Sequence, residues 1–248
     1  MSRCPRPNLL IPLGLLLPLA LLASCFNASQ GNGAGDGNHP PSFGNGDVTA
    51  GQDGAHTVNG SVRVPDGEHT GDVGTVNGSI HVGDNATLVG AQTVNGSINL
   101  GTHASADSLT TVNGSISLSD DARVAHAVSS VNGGLTLHNG SDVDGTLTNV
   151  NGTIELQTAH VGGGIRTANG DINIGGQSRV DGGILVTKSS GLFQFMHEPR
   201  VVIGPGAIVN GELHFERKVE LYVSDKATIG PVVGATPVRY SGEAPPAG

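Results

Sequence analysis

The chain has 248 residues, of which 40 are Gly, with no Trp, 5 Phe, 2 Tyr, 13% charged residues and a formal net charge of −9. That composition describes thin, tightly turning coils with an aliphatic interior, and it excludes a broad aromatic core. The acidic balance argues against nucleic acid and against electrostatic binding to anionic lipid, and Cys4 and Cys25 alone provide no disulfide framework.

Residues 1–24 read as a signal peptide. Arg3 and Arg6 supply the positive start, and Leu9–Ala23 is apolar but broken by Pro12, Gly14 and Pro18, short for a membrane-spanning helix. The run ends Leu22-Ala23-Ser24-Cys25, which resembles the lipobox of bacterial lipoproteins. That resemblance implies cleavage before Cys25, a diacylglycerol on its thiol and a fatty acyl chain such as palmitate on its amine. Several chains on one residue give stable membrane anchoring. Phe26 follows where Asp would signal inner-membrane retention, so the resemblance implies the outer membrane. Without residues 1–24 the chain carries 10 Lys and Arg against 21 Asp and Glu, a net charge of −11.

Residues 25–54 contain the run GNGAGDGNHPPSFGNGD and read as a flexible Gly/Asn/Pro-rich tether.

Residues 55–186 repeat. The motif is TVNGSV at Thr57–Val62, TVNGSI at Thr75–Ile80, Thr93–Ile98 and Thr111–Ile116, then SVNGGL at Ser130, NVNGTI at Asn149 and TANGDI at Thr167. Its asparagines, Asn59, Asn77, Asn95, Asn113, Asn132, Asn151 and Asn169, are spaced 18, 18, 18, 19, 19 and 18 residues apart. A fixed period of this size predicts a solenoid. Three residues after each Asn stands Val62, Ile80, Ile98, Ile116, Leu135, Ile154 or Ile172, and two further on Val64, Val82, Leu100, Leu118, Leu137, Leu156 or Ile174. Positions two apart share one face of a strand, and the residues between them are mostly polar. A six-residue period running through Val76, Val82, Leu88, Val94, Leu100 and Ala106 adds the Val before each Asn to the predicted core.

Three sixes per unit predict an all-β fold: a single-stranded triangular β-solenoid, or β-helix, of about 18 residues per coil. A left-handed hexapeptide helix wants a small residue four places after the aliphatic one. Ala86, Ala104 and Ala122 comply but Ile80, Ile98 and Ile116 do not, which points to a right-handed coil. In this reading Asn-Gly turns a corner through the left-handed region, and the seven asparagines stack as a structural amide ladder. A run of hairpins is the competing reading of Asn-Gly, but the constant spacing disfavours it.

Residues 187–240 lose the exact motif after Ile184 but regain it as IVNGELHF at Ile208–Phe215, with Ile203, Val209, Phe215, Leu221, Ala227 and Val233 again six apart, and they hold five of the seven aromatics, Phe193, Phe195, Phe215, Tyr222 and Tyr240. They read as irregular C-terminal coils that form a cap, with an end-to-end contact surface as the sharper alternative. Residues 241–248 read as a frayed tail.

Site chemistry is sparse. The ten His are scattered without zinc-ligand spacing. The acidic turns Gly83-Asp84-Asn85, Asp120-Asp121 and Asp142-Val143-Asp144 lack the nonapeptide calcium pattern. No Ser/His/Asp arrangement stands out, the N-glycosylation sequons coincide with the ladder asparagines, and the Thr column of Thr57, Thr75, Thr93 and Thr111 is too narrow for ice binding. No catalytic residue, metal ligand or cofactor is predicted.

The VNGSI-type repeats resemble the adhesin-type β-repeat domains of many bacterial envelope proteins. The segment VVIGPGAIVNGELHF at Val201–Phe215, followed by Val219–Gly230, resembles the bactofilins, polymer-forming β-helix proteins. Together these likenesses cover about Thr57–Gly234. They imply a non-enzymatic β-solenoid scaffold with an envelope polysaccharide or protein as partner. End-to-end self-association without a nucleotide is the bactofilin-like alternative, and a carbohydrate-active β-helix enzyme a second one. Bactofilins are typically cytoplasmic, whereas the expected export signal here points to the envelope.

Overall fold

A computed structural model describes residues 43–188 and 198–245. The chain divides into Met1–Gly37 and Asn38–Gly248, and only the second unit contains described residues. The expected signal peptide, Cys25, the first part of the tether, Phe193 and Phe195 lie outside them.

The described residues form 28 strands and no helix, arranged in parallel sheets of 17 and 11 strands. The smaller sheet takes one strand from each coil. Val62–Val64 pairs with Ile80–Val82, which pairs with Ile98–Leu100, which pairs with Ile116–Leu118. Ile80, Ile98 and Ile116 are direct partners, so the sequence period is also the stacking period. The eleven stacked strands of this sheet make ten turns of a β-solenoid. Every pairing between named strands is parallel; the antiparallel contact is an isolated Gly51–Gly54 bridge, so Asn-Gly does not form hairpins here.

The larger sheet takes two segments from most coils, for example Arg123–Val124 and Val128–Asn132, and from the first only Ala55–Asn59. In three coils the two segments fuse into nine-residue strands, His69–Asn77, Thr87–Asn95 and Ser105–Asn113, which pair in constant register.

The core is a stack of aliphatic rows. Ile80 and Val82 point inward because extended residues two apart share a face, and the same holds for Ala86 with Leu88 in the next segment. A third row lies four residues before each Asn: Val73, Ala91, Leu109, Val128, Leu147 and Ile165, all essentially buried. Each fully buried Leu or Ile contributes ~1.5–3 kcal/mol, summed along the rod instead of concentrated at a centre.

Three expectations are corrected. The Val before each Asn is not core: Val58 is 39% exposed, and Val76, Val94, Val112, Val131 and Val150 are only half-buried. The inward residue is its predecessor, giving a buried row of Thr57, Thr75, Thr93, Thr111, Ser130, Asn149 and Thr167. Hydropathy favours Val over Thr for the interior, but the corner places Val outside, and the Thr hydroxyl finds an acceptor within.

The first coil starts inside the expected tether. Phe43–Asn45 pairs with Ala55–Asn59, Val48–Thr49 pairs with Val62–Val64, and Ala50 is 4% exposed.

The six-residue spacing that resumes at Ile203 marks buried positions through Leu221, so the segment forms ordinary coils and not the irregular cap expected. Ile154 pairs with Ile172 across 18 residues, and Ile172 pairs with Val201 across 29, so a single lengthened coil accounts for the lost period. Beyond it Val201, Ile203, Val209, Leu213, Phe215, Leu221 and Val223 refill the core rows. Phe215 and Tyr240 are themselves buried, and Tyr240 Oη donates to the Ile203 carbonyl at 3.4 Å.

Candidate functional site

The exposed Asn-Gly corner carries a continuous chain of amides. Asn77 Nδ2 donates to Asn59 Oδ1 at 2.9 Å, and Asn95, Asn113, Asn132, Asn151 and Asn169 each repeat the bond to the Asn below at 2.8–2.9 Å. The chain runs further than the repeat predicts. Asn59 Nδ2 donates to Asn45 Oδ1 at 3.1 Å, and Arg217 Nη1 donates to Asn169 Oδ1 at 2.6 Å. Asn45 sits 14 residues before Asn59 instead of 18, within a low-complexity run, and Arg217 arrives from 48 residues downstream. The period signals neither.

The glycine of the corner is required by contact. No ladder Asn has positive φ, and Gly78, Gly96, Gly114 and Gly133 do not either. A Cβ on Gly96 would lie 1.8 Å from the Gly78 carbonyl oxygen of the coil below. At these four corners the expected left-handed Asn-Gly turn is replaced by backbone stacking too close for any side chain, whereas Gly60 and Gly152 do take positive φ, at 149° and 129°.

Beneath the corner lies a second polar row. Thr57, Thr75, Thr93 and Thr111 Oγ1 donate to the carbonyls of Gly46, Gly60, Gly78 and Gly96 at 2.8–3.1 Å. Ser130 Oγ continues to Gly114 at 3.1 Å and Asn149 Nδ2 to Gly133 at 2.8 Å. The Asn149 substitution keeps the donor but leaves its buried Oδ1 without a hydrogen-bond partner.

Left-handed residues do turn a corner, but a different one. Asn85, His103 and Asp121 have φ of 56–58°, and Thr158 has φ of 52°, an unusual setting for a β-branched residue. At this corner acidic side chains also serve stacking: Asp66 Oδ1 accepts from the Asp84 N–H at 3.1 Å, and Asp84 Oδ1 from the Thr102 N–H at 2.8 Å.

One outward cluster joins charged groups from several coils. His160 Nδ1 lies 2.6 Å from Asp142 Oδ1, and its Nε2 lies 3.0 Å from Asp181 Oδ2. Arg179 Nε and Asn210 Nδ2 both donate to Asp181 Oδ1, at 2.8 and 2.6 Å. The Asp181 hydrogen bond, reinforced by Asp142 against partial burial, holds the His160 pKa above its ordinary 6.5. The same bond, with Asn210 and Arg179, holds Asp181 below its ordinary 3.8. The two carboxylates approach opposite ring nitrogens, so they clamp an imidazolium and do not converge on a point. Among the described residues no group of three or more His, Cys, Asp or Glu is placed to hold a metal ion.

A groove of about 670 Å³ runs beside the smaller sheet, lined by Asp171, Arg200, Val202, Tyr240, Glu243 and Pro245 among others. The segment read as a tail thus contributes a wall. Next to it the Arg200 guanidinium stacks 4.8 Å over the Tyr222 ring.

The smaller sheet displays one outward residue per coil between its two core rows: Arg63, His81, Asn99, Ser117, Thr136, Glu155 and Asn173. Asn99 Nδ2 donates to His81 Nδ1 at 3.3 Å, but the row as a whole has no common chemistry.

No family model, no curated protein and no solved structure matches the chain.

Proposed function

We propose that this chain is a non-enzymatic, lipid-anchored scaffold of the bacterial envelope, held at the outer membrane through Cys25. In this reading it presents its outward rows to an envelope polysaccharide or protein. One observation carries the scaffold reading. The residues that repeat, Asn77, Thr75, Gly78 and Ile80 with their counterparts, are consumed in coil-to-coil contacts, whereas the outward row from Arg63 to Asn173 changes chemistry at each coil. Replacing Cys25 with Ser should move the protein out of the membrane fraction, and unchanged partitioning would sink the anchor. Capture with the lipidated chain, repeated with Arg63, His81 and Glu155 changed to Ser, tests the surface. Equal recovery of every partner by both would refute the role of that row.

A second reading, end-to-end assembly, draws on the last coil. Ile229 and Val232 sit in core rows but are only half-buried, and Val233 and Val238 are 44% and 50% exposed. Nothing among the described residues stacks on their strands, which leaves a parallel edge open to another chain. Electron microscopy separates the two readings: filaments that lengthen with concentration support assembly, and a persistent monomer eliminates it.

A further inference from the structure

Ten Asn-Gly pairs lie within the described residues. Asn-Gly is the most self-reactive dipeptide in a protein chain, because glycine leaves the following backbone nitrogen unobstructed. That nitrogen attacks the Asn Cγ. The new N–C bond forms as the bond to Nδ2 breaks, and ammonia departs with the nitrogen's proton. Water then opens the succinimide to aspartate or isoaspartate. Attack requires a free backbone N–H and an amide able to swing over it.

At four of its corners, Asn77 to Asn132, the ladder denies both. The N–H groups of Gly60, Gly78, Gly96, Gly114 and Gly133 each donate to the Asn carbonyl of the next coil at 3.0 Å. Asn77, Asn95, Asn113 and Asn132 each have both amide atoms bonded, to the Asn below and the Asn above. Reaction at any of them breaks two ladder bonds and one backbone bond together. Asn139–Gly140 is also held, the Gly140 N–H donating to the Thr158 carbonyl at 2.9 Å.

Asn210–Gly211 differs on every count. Asn210 is exposed and stands outside the ladder. Its single side-chain bond is Nδ2 to Asp181 Oδ1 at 2.6 Å, and among the described residues the Gly211 N–H meets no acceptor. Asn151–Gly152 is intermediate: the Asn151 amide is bonded on both sides, but the exposed Gly152 N–H has no acceptor among the described residues.

We propose that the asparagine ladder shields its own Asn-Gly pairs from succinimide formation, and that Asn210 is the deamidation site the fold leaves open. A carboxylate formed there would face Asp181 in place of an amide donor and would loosen the contact between those two coils.

The full chain, incubated at mildly alkaline pH either folded or in urea, is followed by peptide mapping with mass spectrometry. In the folded rod Asn210 should convert first and Asn151 next, with Asn77, Asn95 and Asn113 slower than in urea by about tenfold or more, as expected for losing several hydrogen bonds at once. In urea all the pairs should convert at similar rates. Ladder asparagines converting in the folded rod at their urea rates would overturn the shield. An Asn210 that stays intact while ladder sites react would overturn the assignment of the open site. An Asn210→Ser variant should lack the fastest-converting peptide and leave the others unchanged.

Discussion

Arg217 closes the amide chain at Asn169. Its Nη1 lies 2.6 Å from Asn169 Oδ1 and 3.1 Å from the Ala168 carbonyl, so one guanidinium satisfies both the last side-chain acceptor of the ladder and the backbone beside it. A repeating hydrogen-bond chain always leaves one unmatched acceptor at its end, and here a charge-assisted donor from the C-terminal coils fills it.

Arg217→Ala should therefore weaken the rod locally. The expected loss is about 1.5–3 kcal/mol, the range for hydrogen bonds to charged groups. Hydrogen exchange should rise first at Asn169, whose N–H is bonded to the Val150 carbonyl. Arg217→Lys should restore part of it. An unchanged exchange pattern around Asn169 would remove Arg217 as a cap.

Thr93 tests the buried row. Its Oγ1 donates to the Gly78 carbonyl at 3.0 Å with the residue 4% exposed. Thr93→Val keeps the shape and loses the donor, leaving a buried carbonyl short of a partner, so about 1–2 kcal/mol should be lost. Thr93→Ser should cost less. Urea denaturation of the two variants reads the difference, and a Val variant as stable as the parent would disprove the row's contribution.

Asn149 offers the converse. It occupies a Thr position, and its buried Oδ1 has no partner. Asn149→Thr should remove that orphan and keep a donor toward Gly133, stabilising the rod by about 1 kcal/mol. The denaturation midpoint should rise with an unchanged slope. A fall in the midpoint would contradict the inward assignment of this row.

Gly96 and Gly51 form a matched pair. A Cβ on Gly96 meets the Gly78 oxygen at 1.8 Å, whereas one on Gly51 meets nothing within 4 Å. Gly96→Ala should cost about 3 kcal/mol or more through forced backbone displacement, or abolish soluble expression. Gly51→Ala should stay within about 0.5 kcal/mol of the parent. Circular dichroism melts compare them.

The His160 clamp sets a pH dependence. The raised His160 pKa means that its contribution is complete below the ordinary 6.5 and is lost as pH rises through the folded value. The lowered Asp181 pKa means that its contribution is present above 3.8 and is lost as pH falls through the folded value. Together they stabilise most between those two limits. His160→Gln should flatten the decline above pH 6.5, measured as melting temperature against pH. An identical decline in the variant would exclude the clamp as its source.

The parts of this fold legible from sequence were those in which hydropathy and direction coincide. Ile80 and Val82 alternate with polar neighbours, so their row declared itself, and the solenoid followed from stacking like on like. Hydropathy reads the Val76 row as inward because it cannot register a carbonyl that waits inside the coil for the Thr75 hydroxyl. The role of Gly96 was misattributed to a turn, since a distance between coils leaves no trace in one coil's sequence. Asn45 and Arg217 join the ladder from off-period positions, and the His160 cluster draws Asp142, the Arg179–Asp181 pair and Asn210 from three other units. Such convergence is a property of register, and no local pattern encodes it.

The coils bounded by His69–Asn77, Thr87–Asn95 and Ser105–Asn113 are congruent in length, register and bonding, so each offers its upper neighbour the same landing surface that it received from below. Duplication or deletion of one such unit should preserve the backbone register and the Asn ladder at the remaining junctions. Reach is thus a heritable dimension of this molecule that can change in steps of one coil, independently of whatever its outward residues recognise.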